Sequence, residues 1–228
     1  MTEQEAAKQR GDATREALIQ AGLDLFGELG FKATTTRMLV DRAKVNISAI
    51  PYYYGGKRGL YNAVLEFITS RVRALHVKAG LTPADLPTDA NVTPEQARFL
   101  LSKLIGGVAH MFVGSDEPRR WVRLIVREQA NPSEAFDILY QSQIRPMQMV
   151  IARLIGISLN LDPQGDEARI RAHALYGQII GFIAGRAAIL RSLEIERFQP
   201  HHVTLIKRVL MAHTSACMQA SALPPEEV

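Results

Sequence analysis

The sequence predicts an all-α protein with a small amino-terminal domain and a larger helical one behind it. Three observations carry this. Apolar residues recur at intervals of three and four along almost the whole chain, no segment pairs with another as alternating strands, and prolines at positions 83, 87 and 94 mark the one clear break between helical stretches. At 228 residues and 47% apolar content the chain can bury a sizeable core.

The first helix is expected from Asp12 to Gly30, with Leu18, Ala21, Leu25 and Leu29 on one face and Gly22 and Phe26 beside it. A second takes its apolar face from Leu39, Val40 and Ala43, and Val45 after it can plug the angle to a third, Ile47 to Tyr53. Asn46 stands where a side-chain oxygen accepts an N–H from the first turn of that third helix. Seven residues are too few for a helix to be stable alone, so its role is to be presented. Leu60, Val64, Phe67, Ile68, Val72 and Leu75 continue the helical period toward Gly80, giving a connecting helix over 58–80. The proline-rich stretch Leu81 to Pro94 is a loop. Beyond it helices are expected over Glu95–Val113, Glu117–Ala130, Ser133–Leu159, Gln164–Leu193 and Pro200–Ala220, with frayed ends at Met1–Arg10 and Ala222–Val228. The expected division is thus 1–57, 58–80 and 81–228.

Charge is distributed unevenly. Residues 1–80 hold 12 Lys/Arg against 8 Asp/Glu and residues 81–228 hold 15 against 15, so the whole excess of +4 lies in the first third. Between Gly30 and Leu60, Lys32, Arg37, Arg42, Lys44, Lys57 and Arg58 face Asp41 alone. A compact basic helical unit is what a DNA backbone attracts, and an ordinary solvated surface is the alternative.

The segment Thr14–Phe31, the stretch starting at Thr35-Thr-Arg-Met-Leu-Val40 and the Tyr-Tyr-Tyr-x-x-Lys ending at Lys57 together resemble, in order and spacing, the DNA-binding domain of TetR-family transcriptional regulators. The version Ser-Ala-Ile-Pro-Tyr-Tyr-Tyr-Gly-Gly-Lys57 is similar to a subgroup that includes the CecR/YbiH-type regulators, and Arg127–Phe136 extends that match more loosely. The resemblance implies a homodimeric, cytoplasmic repressor that binds a pseudo-palindromic double-stranded DNA operator and is released by a small-molecule effector. It implies that Ile47, Ser48, Ala49 and Pro51 face bases and that Thr36, Arg37, Tyr52, Tyr53 and Lys57 hold phosphates. Two departures stand out. Lys44 occupies the joint where Gly is common, and Pro51 lies inside the presented helix.

The larger half offers hints. Met111, Phe112, Trp121, Phe136, Tyr140, Met147 and Met149 gather bulky side chains suited to a cavity for an apolar or aromatic effector, or simply to a core. Arg119, Arg123 and Arg127 share a helix face, as a solvated stripe or an anion site. Gly177, Gly181 and Gly185, four apart, are expected to admit a second subunit's helix, with Val203, Ile206, Leu210 and His213 on the neighbouring helix joining that interface.

Chemistry of other kinds finds little support. The six histidines have no metal-ligand spacing, and the single cysteine, Cys217, permits neither an internal disulfide nor a cysteine-built zinc site. There is no glycine-rich phosphate loop and no nucleophile elbow, so neither an enzyme nor a cofactor is expected. No apolar run reaches the length of a membrane span, and the amino terminus lacks a signal-peptide core. The competing class is a helical protein-binding adaptor whose helix-turn-helix is vestigial.

Overall fold

The structure is a computed structural model that describes residues 2–82, 92–114 and 117–219. The expectations for most of the 81–94 loop and for the last residues fall outside that set. The elements in order are α1 (Glu3–Ala33), α2 (Thr36–Ala43), α3 (Ala49–Tyr54), α4 (Lys57–Ala79), α5 (Pro94–Gly114), α6 (Glu117–Ala130), α7 (Phe136–Leu139), a π-helical turn (Tyr140–Ile144), α8 (Arg145–Leu159), α9 (Asp166–Ala184), α10 (Arg186–Ser192) and α11 (Pro200–Cys217). No strand occurs among the described residues.

The chain forms two compact units, Met1–Val72 with Asp116–Ser142, and Arg73–Ser115 with Gln143–Val228. This differs from a division at residues 57 and 80, because α6 packs on α1 and joins the first unit. Tertiary packing, which local periodicity does not report, makes the assignment.

In the first unit α1 is longer than expected at both ends. Thr2 and Glu5 form a reciprocal capping box, the Thr2 hydroxyl accepting from Glu5 N at 3.3 Å and the Glu5 carboxylate from Thr2 N at 2.7 Å. The segment expected to fray is therefore helical. At the other end Gly30 takes φ 81°, a break that only glycine accepts without strain, and one further turn follows. Thr34, wholly buried, bridges the break by donating to Gly30 O at 2.8 Å and lying 3.1 Å from Leu25 O. Leu29 is 40% exposed, so it leaves the apolar face on which the spacing placed it. The core is Leu18, Leu23, Phe26, Leu39, Ile50, Leu60, Tyr61 and Leu65. A Cβ at Gly22 would stand 2.6 Å from Val64 Cγ2, so glycine is what lets α4 approach α1.

The second unit wraps α5 with α11, α8 and α9. Leu101, Leu104, Ile105, Leu154, Ile155, Leu175, Ile179 and Leu210 fill its centre. Two expected long helices differ in detail. The one expected over Ser133–Leu159 starts at Phe136 and carries a π-helical turn, Tyr140–Ile144, within continuous helix, and Gln164–Leu193 bends by 68° between α9 and α10 at Gly185. At Gly185 the apolar period continues across the bend, which hides it from a sequence pattern.

Candidate nucleic-acid interface

The basic helical segment places α2 and α3 at a tight joint. Thr35 caps α2 by accepting from Met38 N at 3.2 Å. Lys44 ends it in the left-handed region, φ 56° and ψ 44°, where a non-glycine residue stores strain of about 1 kcal/mol. Asn46 Oδ1 accepts from both the backbone N and the hydroxyl of Ser48, each at 2.9 Å, which fixes the entry to α3. Helix α3 begins at Ala49, two residues later than the spacing suggests.

Ala49 is only 9% exposed and points inward with Ile50, so the expectation that it faces bases is corrected. Ile47 and Tyr52 stand out at 57% and 81% exposure, and Ser48 and Pro51 are also exposed. The Ser48 hydroxyl spends its proton on Asn46, which leaves its oxygen as an acceptor, suited to the N–H of adenine N6 or cytosine N4. Tyr52 meets Tyr53 edge-on at 4.8 Å, and the Arg15 guanidinium lies over the Tyr53 ring at 5.0 Å. Tyr54 anchors α3 to α1 by donating to Arg15 O at 3.0 Å, and burial raises its phenol pKa despite the opposing Arg15 charge.

The cations divide by role. Arg37 is 86% exposed, with Asp41 no closer than 4.0 Å, and Thr36 is half-buried beside it. Arg42 is tied to Asp24 at 2.9 Å. Lys57 corrects a second expectation. Its ammonium donates to Phe31 O at 2.9 Å and Thr34 O at 2.8 Å and lies 4.4 Å from the Phe31 ring centre. Those carbonyls terminate α1 without a backbone partner beyond it, so Lys57 acts inside the unit as a helix cap rather than on a phosphate.

Behind this surface lies a polar cluster that the sequence did not reveal. Glu128 on α6, 3% exposed, accepts a short hydrogen bond from Tyr61 of α4 and accepts from Ser133 N at 3.1 Å and Ser133 Oγ at 2.9 Å. Burial, then the bonded Glu128 carboxyl, pushes the Tyr61 phenol far above its ordinary pKa. Arg127 donates to Glu28 O at 3.0 Å and covers Gly30, so it is a tie between α6 and α1 rather than part of a free stripe. No local signal could have paired residues 67 positions apart.

The remaining candidates fall in both units. Trp121, 2% exposed, and the stacked pair Phe136 and Tyr140 belong to the first unit; Met111, Phe112 and Met147 belong to the second. Met147 is in the hydrophobic cluster of that unit and Phe112 packs against it. Gly177 and Gly181 face open space, since a Cβ on either would meet nothing within 4 Å. Gly185 departs from this stripe because it forms the bend, and a Cβ there would lie 2.7 Å from Gly181 O. Val203, Ile206 and Leu210 are also corrected: at 8%, 8% and 1% exposure they pack into the core. The outward stripe of α11 carries Leu205 and Val209 instead, at 54% and 37%. Gly181, Phe182, Ala188, Ile189, Leu210 and His213 border an open apolar groove of about 500 Å³.

Comparison with known proteins agrees with this geometry. Residues 18–64 match the family described as bacterial regulatory proteins, tetR family, and residues 97–221 match the C-terminal domain of HTH-type transcriptional dual regulator CecR. The chain is 28% identical over 217 residues to the CecR regulator of Shigella flexneri, covering 92% of this chain and 93% of that protein. Over 71 residues it is 41% identical to the HTH-type transcriptional repressor Rv3405c of Mycobacterium tuberculosis, 31% of this chain and 36% of the repressor. Among solved structures, a TetR-like regulator from Rhodococcus sp. RHA1 superposes with TM-score 0.59 at 18% identity, covering 91% of this chain and 96% of that one. The SmeT–triclosan complex gives 0.58 at 20%, covering 94% and 96%. These structural likenesses concern the fold. The relatives are regulators, and nothing among them favours the adaptor reading.

Proposed function

Because the chain belongs to the TetR family of helix-turn-helix transcriptional regulators, within its CecR branch, we propose that two copies place α3 in successive major grooves of a pseudo-palindromic operator. The observation that carries this is the exposure of Ile47, Ser48, Pro51 and Tyr52 on a short helix held rigidly from behind by Asn46 and Tyr54. Ile47 and Pro51 offer apolar contact to thymine methyls and Ser48 accepts from a base, while Thr36, Arg37, Tyr52 and Tyr53 hold phosphates.

The second copy is proposed to cover the outward face of α9 and α11, where Gly177 and Gly181 admit close approach and Ile170, Leu205 and Val209 supply apolar surface. An apolar or aromatic effector, of the kind that the SmeT–triclosan complex exemplifies for SmeT, shifts the protein toward a conformer whose two α3 helices no longer match the groove spacing. Candidate contacts are Trp121, Phe136 and Tyr140 in the first unit and, as a separate group, Met111, Phe112 and Met147 in the second. Among the described residues no single helix is long and apolar enough to cross a membrane, in keeping with a regulator acting on DNA in the cytoplasm.

Duplexes selected by the purified protein from a random-sequence library test the reading. Ser48→Ala should relax preference for adenine or cytosine at one position by about 1 kcal/mol and leave other positions unchanged. Binding that is insensitive to salt would refute DNA recognition through phosphates and favour a protein partner.

A further inference from the structure

Helix α1 does not stop where the three-helix unit stops. The match to the tetR family begins at residue 18, whereas α1 begins at Glu3 and is closed by its own capping box. The extra turns have a defined relation to α3. A Cβ at Gly11 would lie 3.3 Å from Tyr53 Oη, the Arg15 guanidinium sits over the Tyr53 ring at 5.0 Å, and Tyr54 donates to Arg15 O at 3.0 Å. The face of α1 bearing Gly11 and Arg15 therefore abuts the carboxyl end of α3, beside Tyr52 and Tyr53.

Helical geometry then fixes what comes next on that face. At 100° per residue Lys8 falls three residues before Gly11 and seven before Arg15, so it shares their side, about one turn upstream. Lys8 is exposed, and so is Arg10 on the adjoining face. Two of the acids on these turns already have partners. Asp12 pairs with Arg15 at 3.4 Å, and the Glu5 carboxylate is taken by Thr2 N at 2.7 Å. A cation thus extends outward from the tyrosine end of α3, continuous with the surface that the phosphates are proposed to follow.

We propose that the turns of α1 upstream of Gly11 form a second DNA contact, in which Lys8 takes a backbone phosphate flanking the bases that α3 reads. The contact rests on the reading of α3 as the DNA-recognition helix and lengthens each half-site without adding base specificity.

Fluorescence anisotropy with the full chain tests it on two duplexes, one trimmed to the sequence selected from the random library and one carrying unrelated flanks. On the flanked duplex Lys8→Ala should weaken binding about 5-fold and flatten the plot of log K against log salt by about one unit per subunit. On the trimmed duplex it should change nothing, and Lys8→Arg should behave like the unaltered protein. Equal affinity and slope for Lys8→Ala on the flanked duplex, with Arg37→Ala still weakened, would overturn the flank contact alone. Equal loss on both duplexes would overturn it too, by placing the effect at α3. Failure of the unaltered protein to select any sequence would remove the α3 reading and this contact together.

Discussion

The segment from Thr34 to Lys57 and the face formed by α9 and α11 are both exposed surfaces, but they are specified in opposite ways. In the first, polar ties decide what is left outside. Thr34 closes the break at Gly30, Lys57 caps the end of α1, Arg42 holds Asp24 and Tyr54 holds Arg15 O. Each donor is fixed on named acceptors, so Ile47, Ser48, Pro51, Tyr52 and Arg37 are left exposed as a defined set. In the second, α11 carries two apolar stripes, Val203, Ile206 and Leu210 inward and Leu205 and Val209 outward. Apolarity alone does not distinguish a subunit's own core from a surface awaiting a second copy. The packing of α11 on α5 makes that choice.

The sharpest way to break the comparison is to substitute both kinds of position in the second unit. Leu210→Ala should destabilise by about 3 kcal/mol, because a fully buried leucine leaves a cavity in a core that relaxes only partly. Gly181→Leu should leave each subunit's fold intact, since its Cβ meets open space, yet lower the association of subunits and with it operator affinity. Urea unfolding measures the first and sedimentation the second. A folded Gly181→Leu protein with unchanged association would show that the outward face meets no second copy.

A smaller effect separates the two cations of the first unit. Lys57→Ala removes charge-assisted bonds to two helix-end carbonyls and should cost about 2 kcal/mol of stability, leaving the salt dependence of DNA binding by the folded protein unchanged. Arg37→Ala should do the reverse, with stability within about 0.5 kcal/mol of the parent and a salt slope shallower by about one unit per subunit. Thermal melts and a salt titration distinguish them. If Lys57→Ala changed the slope and Arg37→Ala did not, the inward and outward assignments would have to be exchanged.

What could be read from the sequence follows the range of the interactions. The joint at Lys44, the acceptor at Asn46 and the presented helix after it involve neighbours within a few residues, and residue type with spacing suffices to place them. Ala49 marks the limit of that reading, because the resemblance turned it toward bases while packing buries it beside Ile50. The upstream turns of α1 were missed because a capping box of Thr2 and Glu5 is polar and leaves no apolar period. The bend at Gly185 was missed for the opposite reason, an apolar period that runs through it. Tyr61, Glu128 and Ser133 meet only through the fold, and each alone is an unremarkable residue on a helix or turn.

The smallest predicted effect concerns pH and again contrasts the two units. In the first, the buried polar cluster around Glu128 has partners for both carboxyl oxygens. In the second, His76 of α4 has its Nε2 buried with no hydrogen-bond partner among the described residues, and burial lowers its pKa below the ordinary value of 6.5. A depressed folded pKa means that the unfolded chain takes up its proton first as the solution is acidified. Above the unfolded pKa both states hold a neutral ring and His76 adds no pH dependence. As pH falls from about 6.5 toward the lower folded value, protonation favours the unfolded chain and stability declines. Melting temperatures measured across that interval should therefore drop more in the parent than in His76→Leu, which removes both the titration and the orphaned nitrogen. Parallel curves for the two proteins would mean that the ring is as readily protonated in the folded chain as in the unfolded one, and that the orphaned nitrogen is reached by water.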